Sequence, residues 1–244
     1  MSGAHHNPMD QFKIKKIFDL NIFGLDVSFT NSSLVALIIL GVFGTFFLLA
    51  TRKKSIVPSK SQLLCEGAYG FIVKLVGENI PHTGLKYVPI VFSVFTFILC
   101  SNIFGMIPYT FTITSHIATT LIIAIFVFFS VVIIGVCNQG PAYFLHFCPK
   151  GVPLFVAPLV FVVELFSFLV RPFVLALRLA ANMTAGHTVL KVIAGFVAPM
   201  AIFGVVPLVF LSVLTAFELF IAFLQAYIFS LLSCIYINEA LASH

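Results

Sequence analysis

Phe173-Val-Leu-Ala-Leu-Arg-Leu-Ala-Ala181 sets a permanent cation, Arg178, in an apolar run with no carboxylate within thirteen residues on either side. A guanidinium at bilayer depth costs at least roughly 2.5–3.5 kcal/mol on insertion scales, so it needs a partner, a water-filled cavity or a function. The neighbouring sequence supplies no obvious partner. The reading therefore points outward, to another subunit.

The rest of the chain shares this apolar character. Of 244 residues, 61% are hydrophobic and 9% charged, and the mean hydropathy is +1.16, far more apolar side chain than a globular core can hide. Stretches free of Asp, Glu, Lys and Arg run from Val27 to Thr51, Tyr87 to Pro149, Gly151 to Val163, Val192 to Phe217 and Leu219 to Asn238. Several exceed the ~20 residues that a helix needs to cross hydrocarbon. Lipid admits only helices or closed barrels, and these runs lack the alternation of barrel strands. The sequence predicts an all-α polytopic membrane protein.

The net charge of +5 is spread too thinly to imply nucleic-acid binding. Arg52, Lys53, Lys54 and Lys60 follow the first span directly, which places that segment on the cytoplasmic or matrix side and the N-terminus outside. Lys13, Lys15 and Lys16 argue the other way, offset in part by Asp10 and Asp19. Met1 to Phe29 is polar and has no compact apolar segment, so no cleavable signal peptide is expected. The five cysteines, Cys65, Cys100, Cys137, Cys148 and Cys234, are scattered without a C-x-x-C pair and read as structural thiols. His5 and His6 fall short of a metal ligand set. No metal or cofactor is expected.

Residues 1–30 read as an N-terminal extramembrane segment and 31–244 as a membrane domain. The first span covers 31–51, entered through the N-cap candidates of Ser28-Phe-Thr-Asn-Ser-Ser33. Residues 61–80 mix apolar side chains with Glu66, Lys74 and Glu78 and read as an interfacial helix. Spans at 88–107 and 116–136 follow; Asn102 and His116 within them read as packing or interhelical hydrogen-bonding groups rather than ion ligands. After a loop containing Asn138-Gln-Gly-Pro141 come two helix-length runs, 153–198 and 207–240, separated by a break from Ala198 to Pro207. A continuous helix from Leu154 to Ala198 would be about 67 Å long, over twice the ~30 Å apolar slab. Either Asn182 to Gly186 hides a hairpin or the helix is very oblique. Leu208 to Asn238, at about 46 Å, is also too long for an upright span.

Nearly every intramembrane ionisable group falls in these last two runs: Glu164, Arg171, Arg178, His187, Lys191 and Glu218, with the amides of Asn182 and Gln225. Glu164, Arg171 and Arg178 are seven apart and drift by only about 20° per step, so they share a stripe. Asn182 lies one turn beyond Arg178, while His187 falls on the opposite side. Glu218 and Gln225 are again seven apart, with Ala222 and Ala226 forming a small-residue face for close helix approach. The pattern predicts two separate polar tracks, one with His187 and Glu218, the other with Glu164 and Arg171. A carboxylate and an imidazole in a low-dielectric layer suit a proton relay. Arg178, which cannot deprotonate, separates the tracks as a fixed gate. Lys191 reads as a snorkelling side chain, and Arg171 as a group that could serve carbonyls freed by Pro172.

Leu177-Arg-Leu-Ala-Ala-Asn-Met-Thr-Ala-Gly-His187, with Glu164, Arg171-Pro172, Glu218 and Leu224-Gln-Ala-Tyr-Ile-Phe229, resembles subunit a of the F-type ATP synthase in its alphaproteobacterial and mitochondrial form. Ser101-Asn-Ile-Phe-Gly-Met-Ile-Pro-Tyr109 and Cys234-Ile-Tyr-Ile-Asn238 extend the similarity over nearly the whole chain. The resemblance implies about five membrane-crossing helices plus one interfacial helix, the last two long and steeply tilted. It implies a proton-channel stator with two offset half-channels, not an enzyme as an isolated chain, partnered by a c-subunit ring, b-type peripheral stalk subunits and membrane lipids. Arg178 would face the ring carboxylate, His187 and Glu218 would line the entry half-channel, Glu164 the exit, and Asn182 and Gln225 would shape the ring contact. The location implied is a bacterial or mitochondrial inner membrane, with the C-terminus on the cytoplasmic or matrix side. No phosphate loop of the form G-x-x-x-x-G-K-[ST] occurs, consistent with ATP chemistry elsewhere in the complex. A secondary transporter would also carry midplane charges, but many such folds contain an internal repeat, and the first half has no counterpart to the Arg178 segment. A structural anchor, the third reading, predicts that apolar replacement of those charges leaves function intact.

Overall fold

A computed structural model describes residues 16–19, 21–22, 25–26, 28–52, 58–80, 84–107, 110–140, 143, 156–197, 199 and 201–241. His5, His6, Lys13, Lys15, Lys53, Lys54, Cys148 and the start of the long run at 153–155 lie outside the described residues.

Six α-helices dominate: α1 (Asn31–Arg52), α2 (Lys60–Asn79), α3 (Val88–Gly105), α4 (Ile117–Gln139), α5 (Ala157–Val197) and α6 (Val205–Leu241). Five are long and apolar enough to cross a membrane, α3 together with the 3₁₀ turn that leads into it; α2 is the exception. The chain is a multi-pass α-helical membrane protein. Ahead of α1 stand two minimal antiparallel ladders, β1 (Lys16–Phe18) with β4 (Phe29–Thr30) and β2 (Asn21–Ile22) with β3 (Leu25–Asp26). They are too short for period-two patterning to announce them in the sequence.

Local chemistry accounts for the helix ends. Asn31 Oδ1 accepts the Ser32 N–H at 3.0 Å at the start of α1, and Ser59 Oγ accepts the Gln62 N–H at 3.3 Å at the start of α2, each satisfying a donor that the first turn leaves without a helical partner. Gln62 then donates to Glu66 one turn on, at 2.7 Å. His116 caps the short 3₁₀ turn Ile113–Ser115, just ahead of α4 rather than within it, and stacks on Phe111 with ring centroids 4.9 Å apart.

The hairpin alternative for 182–186 is excluded, since α5 is helical throughout its 41 residues, with Pro172 inside it. At 1.5 Å per residue α5 is about 62 Å long and the 37-residue α6 about 56 Å. Both exceed the apolar slab, as their sequence lengths require.

The chain divides into two compact units. One comprises 1–67, 96–116 and 179–226, the other 68–95, 117–178 and 227–244. In the first, Ile39, Cys100 and Ile113 form a core with Val35, Ala36, Phe43, Phe104 and Phe111 packed against it. In the second, Phe71 packs on Phe95 and Tyr227, and Phe128 on Phe168. Along α5 the division falls between Arg178 and Leu179, and along α6 between Ala226 and Tyr227.

Candidate functional site

The first unit holds a buried acid–imidazole pair. His187 Nδ1 on α5 stands 3.3 Å from Glu218 Oε1 on α6, with the residues 6% and 5% exposed. The separation is that of an ion pair, yet the angles do not make a hydrogen bond. Both carboxylate oxygens and His187 Nε2 lack a hydrogen-bond partner among the described residues. Leaving three such atoms unsatisfied is expensive in a packed interior, which sets this pair apart from a fully hydrogen-bonded structural one.

Gly186 makes the pair possible. A Cβ there would lie 2.6 Å from Glu218 Oε1 and 3.0 Å from its Cδ, so only glycine admits the carboxylate this close to the α5 backbone. In the sequence, Gly186 stands as the end of the hairpin candidate Asn182 to Gly186. Its use is to leave space.

Two further contacts flank the pair by one helical turn on each helix. Thr184 Oγ1 donates to the Ser115 carbonyl at 3.1 Å, three residues before His187, and Asn102 Nδ2 donates to the Ala222 carbonyl at 3.2 Å, four residues after Glu218. Asn102 is fully buried, and its role is the interhelical hydrogen bond expected of it. The bond requires a close approach, which fully buried Ala222 and Ala226 allow. Gln225, between those alanines, is 7% exposed, and Asn182 is half-buried.

The second unit holds the other group. Arg171 Nη1 donates to Glu239 Oε2 in an ion pair, and its guanidinium stands 5.1 Å from the Tyr236 ring centroid. This replaces the reading of Arg171 as a server of carbonyls freed by Pro172. The pair spans 68 residues, and Glu239, two residues from the end of α6, carries no motif that marks it in advance. Glu164, Arg171, Tyr236 and Glu239 line one cavity of about 20 Å³, closed also by Tyr143, Phe168 and Ala240. That volume admits about one water. An apolar cavity lies beside it, sharing Phe168, Arg171 and Tyr236 and lined also by Pro172.

Arg178 differs from both groups. It is exposed on α5, in a strip with Val174, Ala181 and Ala185, and no ion pair joins it to a carboxylate among the described residues. Tyr236 lies within electrostatic reach of Arg178 as well as Arg171. On α6, Phe217, Phe220, Phe223 and Leu224 are likewise exposed. Of the six residues to which the resemblance gives a role, Asn182, His187, Glu218 and Gln225 belong to the first unit and Glu164 and Arg178 to the second.

Residues 32–238 match the family model described as ATP synthase A chain. Two Rhodospirillum rubrum proteins named ATP synthase subunit a, one of them from strain ATCC 11170, are each 45% identical to the chain over 240 residues, covering 98% of it and all of the relative.

Proposed function

The chain belongs to the ATP synthase subunit a family, a membrane subunit of a proton-translocating complex rather than an enzyme in itself, and from that premise we propose that it forms two offset half-channels gated by Arg178. The observation that carries the proposal is the contrast among three charged groups on the same two helices. His187 and Glu218 are buried together with unsatisfied atoms, Arg171 and Glu239 are paired beside Glu164, and Arg178 is exposed without an ion pair among the described residues.

In this reading a proton enters through His187 and Glu218 and neutralises a carboxylate on a ring of c subunits. The neutral site can then rotate into lipid, where an ionised acid could not go. After nearly a full turn it reaches the second track and releases its proton toward Glu164. Arg178 attracts each newly ionised ring carboxylate and, being always charged, repels a free proton. The exposed strip of Val174, Arg178, Ala181 and Ala185 suits this contact, because small neighbours let a passing helix come close. Asn182 and Gln225 shape it from α5 and α6. Residues 1–30 form the extramembrane segment, 31–244 the membrane domain. The N-terminus faces outside and the C-terminus the cytoplasm or matrix of an inner membrane, with b-type stalk subunits as the other protein partners.

Arg178→Ala tests the gate. Proton-driven ATP synthesis in membrane vesicles should disappear and passive proton leak should rise. Normal coupling in that variant would reject the role assigned to Arg178.

A further inference from the structure

Tyr143 is a loop residue between α4 and α5 that no motif distinguishes, yet it is only 5% exposed. Two features of the chain hold it there. Gly140 adopts φ +62°, the left-handed backbone that turns the chain immediately after α4. Gly135, one helical turn from the end of α4, leaves a flat surface for the ring, since a Cβ there would lie 2.4 Å from Tyr143 Cε2 and 2.9 Å from Cζ. A bulky aromatic side chain brought in from a loop and laid on a helix is a substantial commitment of sequence. What it reaches is the one-water cavity of Glu164, Arg171, Tyr236 and Glu239.

We propose that Tyr143 is a positioning residue of the outlet track, its phenol closing that cavity and hydrogen-bonding the water that carries a proton from Glu164 to Glu239. The inference rests on assigning the cavity to the outlet. In the transfer, the Glu164 O–H bond breaks as the water gains a proton, and one of the water's own O–H bonds breaks as Glu239 gains one. Water is restored and the phenol keeps its proton throughout. The charged and titratable groups facing the cavity are Glu164, Arg171, Tyr236 and Glu239, and Tyr143 supplies a neutral donor among them. Burial, and then the charge of Glu239, hold the Tyr143 phenol above its ordinary value of 10.0, against the opposing effect of Arg171. The hydroxyl therefore stays protonated at working pH and can donate, but does not take the proton itself.

The test uses the intact ATP synthase in membrane vesicles, with ATP synthesis measured at fixed driving force while pH is varied on the side where ATP is made. Tyr143→Phe keeps the ring and removes the hydroxyl, and Gly135→Ala keeps the hydroxyl and displaces the ring. Each should slow synthesis about fivefold, the scale of one hydrogen bond, and change the shape of the pH profile. Glu239→Gln run alongside separates the two levels of the reading. If Glu239→Gln is slowed while Tyr143→Phe keeps the wild-type rate and profile, the role of Tyr143 is overturned and the outlet stands. If Glu239→Gln also behaves as wild type, the outlet assignment fails. Should Tyr143→Phe not assemble, Gly135→Ala decides, and failure of both to assemble would reduce Tyr143 to packing and overturn the inference.

Discussion

Gly186→Ala separates stability from transport. In a helix interior alanine is favoured over glycine by about 1 kcal/mol, so α5 should gain rather than lose by the change. The cost falls on Glu218. The added Cβ would lie 2.6 Å from Oε1, against 3.4 Å for ordinary contact, so the carboxylate tip must retreat by 0.8 Å (3.4 minus 2.6). Glu218 is buried and already 3.3 Å from His187, and its Cδ would meet the same Cβ at 3.0 Å, so the retreat cannot be a simple swing of one oxygen. A misplacement near 1 Å in a proton-transfer geometry costs on the order of 100-fold, and we expect proton flux to fall roughly 10- to 100-fold.

The assay is ATP-driven proton pumping in vesicles, normalised to the amount of assembled complex, with thermal stability of the purified complex measured in parallel. Reduced pumping with unchanged or raised stability is the expected result. Adding Glu218→Asp, one methylene shorter, should restore part of the flux by drawing the carboxylate away from the new methyl group. Wild-type pumping by an assembled Gly186→Ala complex would refute the claim that this close approach matters.

In a double-mutant cycle of Arg171→Gln and Glu239→Gln, the coupling should be about 1 kcal/mol, since side-chain exposures of 25% and 45% put the pair near the partly solvated end of the range; additive effects would show that the pair contributes nothing measurable. Asn102→Ala removes the hydrogen bond to the Ala222 carbonyl and should lower complex stability by roughly 0.6–1.7 kcal/mol, read as a shift in thermal unfolding. Maleimide should label exposed Cys137 at least about tenfold faster than Cys65, which is 4% exposed and whose thiol is held above its ordinary value of 9.0 by burial and then by Glu66. Because the thiolate is the reactive form, labelling of Cys65 should quicken as pH rises; equal rates for the two thiols at neutral pH would contradict its burial.

The fold was legible wherever a single physical scale decides it. Apolar run length identifies five candidate spans, and mixed charge sets α2 apart from them. Arg178, His187 and Glu218 stand out in the sequence because lipid makes each of them costly. What escaped were features whose meaning depends on a distant partner. Gly186 reads as the end of a hairpin candidate until the Glu218 carboxylate, 32 residues on, is placed against it. Arg171 reads as a companion to Pro172 until Glu239 meets it, and no sequence pattern marks Glu239. Tyr143 sits in a loop without local pattern, and its position depends on two glycines in and after α4. The N-terminal ladders are two and three residues long, below the length at which alternation carries information.

The disposition of the acids bears on Arg178. The two long helices contain three carboxylates: Glu164, Glu218 and Glu239. Glu218 is held beside His187 and Glu239 beside Arg171, so moving either to Arg178 would strand a buried imidazole or a partly buried guanidinium. Glu164 lies fourteen residues before Arg178, about 21 Å along the axis of one continuous helix, beyond the reach of two side chains. Among the described residues, then, the acids of α5 and α6 are engaged elsewhere or out of reach of exposed Arg178, which is what the proposed contact with a partner's carboxylate requires. On that proposal the contact must also be intermittent if protons are to pass, because a permanent ion pair at Arg178 would hold the partner in place.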